Sequence, residues 1–143
     1  MPNKKLRHGF TLIELLVVVS IIAILSTVVF VALNPVKRFA DARNSRRFSD
    51  VNEVLTSIHE YIVDNGGALP TGLTTAMAAK ELGTCGTCAN LTTPLAKYLK
   101  SIPLDPQSGT ASNSGYTVAV DTNNIVTINS TFAENAVSVQ VSR

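Results

Sequence analysis

Residues 10–33 read FTLIELLVVVSIIAILSTVVFVAL, a run of 24 positions in which Glu14 is the single ionisable side chain. As a helix rising about 1.5 Å per residue, the run would extend roughly 36 Å, enough to cross the hydrocarbon core of a bilayer. A cleaved secretory signal has an apolar region of only about 7 to 15 residues, followed by a small-residue cleavage site. Here the run is longer and no Ala-x-Ala site follows it. Neither cysteine, Cys85 or Cys88, lies where a lipid-modified cysteine would. Within a chain of 143 residues, this leaves one small globular domain after the apolar and charged segments.

Glu14 is the anomaly in that run. An ionised carboxylate in hydrocarbon costs at least roughly 2.5 kcal/mol on insertion scales, so it needs a cation or a hydrogen-bond donor beside it. A snorkelling carboxylate reaching the headgroups is the simplest structural reading. No Lys, Arg or His lies between Phe10 and Asn34, so the segment supplies no cation of its own. A cut between Gly9 and Phe10 would create an α-amino group four residues before Glu14. Copies staggered by about one helical turn would bring one copy's amine to the next copy's carboxylate.

The basic leader Lys4, Lys5 and Arg7, followed by Gly9, Phe10, Thr11, Leu12, Ile13, Glu14, Leu15 and Leu16, resembles the N-terminal signature of type IV pilins and type II secretion pseudopilins. The resemblance covers residues 4 to 33 and implies a set of expectations. A prepilin peptidase, an aspartic protease of the inner membrane, cuts after Gly9, and the new Phe10 amine is N-methylated. Glu14 is the assembly glutamate that neutralises the terminal amine of a neighbouring subunit. Gly9, otherwise a flexible leader residue, is then the small side chain that lets the peptidase reach the scissile bond. An assembly ATPase, a platform membrane protein and further copies of the chain are the implied partners. The subunit starts as a single-pass inner-membrane protein, leader in the cytoplasm and C-terminal domain outside it, and ends in a filament. The chain departs from the family where many pilins have proline at about mature position 22: Val31 stands there, and the proline comes at Pro35. Proline disfavours a helical residue before it, so a break is expected near Asn34.

From Val36 the composition turns polar. Phe48, Val51, Leu55, Ile58 and Ile62 recur at steps of three and four, an apolar stripe on an amphipathic helix over residues 34–65 that would pack on a sheet. Asn65, Gly66 and Gly67 would end it. Lys37, Arg38, Arg43, Arg46 and Arg47 place five cations in this helix against one nearby acid, Asp41. A solvated face or headgroup contact, contact with neighbouring subunits, and DNA binding are the three readings of that cluster. DNA is disfavoured because no aromatic residues interleave with the cations beyond Phe39 and Phe48. The cluster also offsets the leader's charge, so counting cations does not orient the chain.

In residues 66–143 the stretches GYTVAV (115–120), NIVTI (124–128) and VSVQV (137–141) read as short strands, with Asp121 to Asn124 turning between the first two. The expected fold is α+β: a long N-terminal helix broken near Pro35, packed on a small antiparallel three-stranded sheet in the lollipop arrangement of pilins. The divisions are leader 1–9, membrane or filament-core helix 10–33, amphipathic helix 34–65 and globular domain 66–143. The run YLKSIPLDPQSG (98–109) resembles the loop before the sheet in major pseudopilins, where calcium is often held near the sheet by backbone and acidic oxygens. Asp105, Asp121, Asn123 and Asn124 are the hard ligands available for calcium, too few and too dispersed to show a site.

Cys85 and Cys88 form TCGTC. Structural zinc needs four ligands, and the histidines are His8 in the leader and His59 on the helix. With no thioredoxin-like context, a small disulfide pinning a loop is the best reading for a domain outside the cytoplasm. Enzyme motifs are lacking: no phosphate-binding glycine loop, nucleophile elbow or metal-binding histidine pair. The formal charge is +2, and removing Lys4, Lys5 and Arg7 leaves nine basic and ten acidic side chains. The remaining rival to a filament subunit is a monomeric envelope protein for which the apolar helix is only a tether.

Overall fold

A computed structural model of the protein describes residues 9–143. The leader positions Lys4, Lys5, Arg7 and His8 lie outside the described residues. Contacts divide the chain between Arg38 and Phe39 into two compact units.

The first unit is dominated by helix α1 (Leu12–Leu33), in which no residue is buried. Thr11 caps it, and the apolar run propagates it without interruption. The hydroxyls of Ser20, Ser26 and Thr27 donate to the carbonyls of Leu16, Ile22 and Ala23 at 2.8, 2.8 and 3.0 Å. These polar groups are thus satisfied inside the helix, as an apolar surrounding requires. The helix is long and apolar enough to cross a membrane.

Helix α1 ends at Asn34, whose φ of 39° and ψ of 71° place it in the left-handed region. Pro35 disfavours the right-handed helical conformation there, and asparagine tolerates the left-handed one better than most residues. Pro35 then opens helix α2 (Pro35–Asp64), at the position where its missing N–H is no loss. The Asn34 side-chain oxygen accepts from the Lys37 amide at 3.4 Å, so one residue closes α1 and caps α2. Helix α2 stops where expected. Gly66 and Gly67 have φ of 63° and 92°, and the Gly67 amide donates to the Ile62 carbonyl at 2.8 Å, the long bond of a left-handed C-cap.

In the second unit, four strands form one antiparallel sheet in the order β1 (Met77–Glu81), β2 (Tyr116–Val120), β3 (Val126–Ser130), β4 (Gln140–Ser142). The fold is α+β, as expected, but with four strands instead of three. Tyr116, Val118, Val120, Val126 and Ile128 alternate inward and join Val51, Val54, Leu55 and Ile58 of α2 in one buried core. Between β2 and β3 the Asp121 carboxylate accepts from the amides of Asn123 and Ile125 at 2.8 and 2.7 Å, which forms the expected turn.

Two further departures from the sequence reading concern the core. Phe48, placed on the apolar stripe, is 39% exposed, while Val54 is fully buried. The segment between β1 and β2 also contributes to the core. Residues 91–99 wind through turns in which the amides of Leu95 and Leu99 donate four residues back, burying Leu91, Leu95 and Leu99.

Candidate functional site

The N-terminal motif is built by helix capping. Thr11 has extended backbone angles, and its hydroxyl accepts from the Glu14 amide at 3.3 Å. Glu14 reaches back, and its carboxylate accepts from the Thr11 amide at 2.7 Å and the Thr11 hydroxyl at 2.8 Å. The two side chains form a reciprocal capping box. The apolar segment lacks a cation but supplies donors, which the sequence reading of Glu14 overlooked. The signal was present in the Thr-x-x-Glu spacing.

Phe10, immediately before the box, is 88% exposed. A side chain added at Gly9 would meet nothing within 4 Å among the described residues, so no contact there demands glycine. The motif therefore displays the Gly9–Phe10 bond and an acid anchored one turn beyond it, at the head of a helix in which no described residue is buried. Residues 4–30 match the family model described as the prokaryotic N-terminal methylation motif. The chain carries the type IV pilin and pseudopilin signal. No curated protein and no solved structure matches it. The chain thus combines this motif with a helix apolar enough to span a membrane.

A second constellation lies on α2, and the sequence reading missed it. Arg47 is fully buried. Its Nε donates to Asp105 Oδ2 at 2.6 Å, and its Nη1 donates to Glu134 Oε2 at 2.8 Å and to Asn44 Oδ1 at 3.0 Å. Arg43 forms a forked pair with the same Glu134 carboxylate. Arg46 pairs with Asp50, whose other oxygen accepts from the buried Tyr116 hydroxyl at 2.7 Å. Of the five cations read as a solvated or partner-facing cluster, Arg43, Arg46 and Arg47 therefore make ion pairs within the domain. Lys37 and Arg38 remain exposed in the first turn of α2. The missed signal was helical phase: Asn44 and Arg47 precede Val51 by seven and four residues, so they continue its buried face.

The electrostatics follow from this packing. Arg43 first, then Arg47, hold the Glu134 carboxyl far below its ordinary value, at about 2. Burial opposes ionisation of Asp105, but the Arg47 guanidinium and the amides of Ser108 and Gln107 outweigh it and keep its carboxyl low. Burial and the hydrogen bond to Asp50 push the Tyr116 phenol up. Gly115, at φ 87°, lies so close to this site that a Cβ would come within 2.6 Å of the Asp105 Cβ.

The oxygens named as calcium ligands are engaged elsewhere and do not fit a calcium shell. Asp105 faces Arg47 and two backbone amides. Asp121 orders its own turn, Asn123 donates to it, and Asn124 Oδ1 accepts from Thr75 at 2.6 Å. Among the described residues no cluster of three or more His, Cys, Asp or Glu side chains is placed to hold a metal. His59 binds the Leu55 carbonyl at 2.8 Å, one turn back on α2. Cys85 and Cys88 are joined as a disulfide, and the amides of Thr84 and Cys85 tie the loop to the carbonyls of Ala111 and Ser112.

Proposed function

We propose that this chain is a structural subunit of a type IV pilus or a type II secretion pseudopilus. It is matured by a prepilin peptidase that cuts between Gly9 and Phe10 and is N-methylated at Phe10. It polymerises through α1 with copies of itself and related pilins, driven by an assembly ATPase and a platform membrane protein. Before assembly α1 resides in the inner membrane with the C-terminal domain outside the cytoplasm; afterwards it lies in the filament core. The role is structural and not enzymatic.

The observation that carries this reading is Glu14, the one acid of the methylation motif's apolar helix, held by neutral donors of Thr11. Those donors make the carboxylate tolerable in the unassembled chain. Thr11's uncharged donors leave the net negative charge in place, so a neighbour's liberated amine, a full positive charge, adds a Coulombic attraction that Thr11 cannot supply. Apolar burial changes little between lipid and a helix bundle, which leaves packing and this charge pair to fix the register.

Glu14→Ala tests the reading in cells. The variant is expected to insert in the membrane and lose its leader, yet fail to enter filaments and lose crosslinks between membrane segments of neighbouring copies. Normal assembly of Glu14→Ala contradicts the pairing, and so does a wild-type chain that never crosslinks to another.

A further inference from the structure

The segment joining β3 to β4, residues 131–139, runs through two non-glycine residues in the left-handed region, Asn135 at φ 57° and Ala136 at φ 55°. Backbone of that kind persists only where its surroundings over-determine it. Helix α2 provides the restraint. Asn44 exchanges two hydrogen bonds with the Glu134 backbone, at 2.8 and 3.0 Å. The Asn135 side-chain amide donates to the Asp41 carboxylate at 2.9 Å. The Glu134 carboxylate is gripped by Arg43 and Arg47.

A second loop reaches the same point from another part of the chain. Asp105 is buried, its carboxylate orders the turn at Gln107 and Ser108, and its amide donates to the Ser114 carbonyl at 2.8 Å. Asp105 and Glu134 are 29 positions apart, yet both carboxylates terminate on the Arg47 guanidinium. Loop carboxylates from separate segments converging on one positive centre is the arrangement by which a divalent cation closes loops. In this chain the positive centre is covalently part of a helix.

The geometry points to Arg47 as a built-in cation that clasps residues 103–115 and 131–139 onto α2, so that the two loops close together and without calcium. A guanidinium suits the task, since its planar fork serves Asp105 along one edge and Glu134 with Asn44 along another. This inference goes beyond the filament role and holds for the unassembled chain.

Hydrogen exchange of the full chain in detergent micelles tests it, read loop by loop with millimolar calcium or with a chelator. Wild-type protection in both loops should be the same in the two media. Arg47→Met should speed exchange in both loops by at least about tenfold, with β2 and β3 changing less. Saturable calcium protection of the wild-type loops overturns the inference, as does either loop keeping its protection in Arg47→Met. If Arg47→Met fails to fold, Glu134→Gln and Asp105→Asn decide. Each should loosen the other's loop as well as its own, and effects confined to the mutated loop overturn the inference.

Discussion

Arg47 and Arg46 are neighbours in sequence with opposite fates. The Arg47 side chain is fully buried against Asp105, while the Arg46 side chain is 67% exposed beside Asp50. Removing one partner of a buried pair strands the other charge, which costs about 3 to 5 kcal/mol. Asp50 is also buried, but without Arg46 it keeps the Tyr116 hydroxyl at 2.7 Å. Arg47→Met should therefore lower the midpoint of chemical unfolding severely, and Arg46→Met less, in the same detergent-solubilised chain. Comparable effects would show that burial does not set the difference. Glu134 adds a pH signature. Its carboxyl falls from an ordinary 4.5 to about 2 in the folded chain, and Asp105 also lies below its ordinary value. Groups depressed by folding stabilise it above their unfolded pKa, and that contribution disappears as pH falls through the folded value. Thermal stability should thus decline as pH drops from about 4.5 towards 2, and Glu134→Gln should flatten that decline. An unchanged profile in Glu134→Gln would contradict the assignment.

Among the elements, those with strong local signals, β2 and β3 included, were readable from the residues, and those defined by pairing alone were not. Helix α1 follows from uninterrupted apolar composition, the Asn34 interruption from Pro35, and the end of α2 from Gly66 and Gly67. Strand β1, MAAKE, has little of the β-branched or aromatic character that marks a strand, and exists because it pairs with β2. Strand β4 starts at Gln140 and not at Val137, because the anchored Glu134 and the left-handed Asn135 and Ala136 precede it. The Asn34 junction is testable by itself. In Pro35→Ala the residue before position 35 is freed from its steric restriction and an amide donor is restored. Carbon chemical shifts in micelles should then show Asn34 becoming right-handed helical and α1 running into α2. Left-handed shifts at Asn34 in the variant would show that asparagine alone sets the interruption.

For the whole molecule, the N-terminal motif was the most legible part, because it is written in consecutive residues: a basic leader, a glycine, an aromatic, an acid and an apolar helix. The α2 clasp was the least legible, since Arg47, Asp105 and Glu134 meet only once the chain has folded. Among the described residues none of the 22 in α1 is buried, so lipid or neighbouring helices could cover its whole surface. The filament proposal supplies both in turn, and it depends on leader removal to create the amine that Glu14 accepts. Intact-mass spectrometry of the protein recovered from native membranes measures that step directly. The account predicts a species beginning at Phe10 with one added methyl group. A chain still carrying residues 1–9 ahead of an unmodified Phe10 would contradict it.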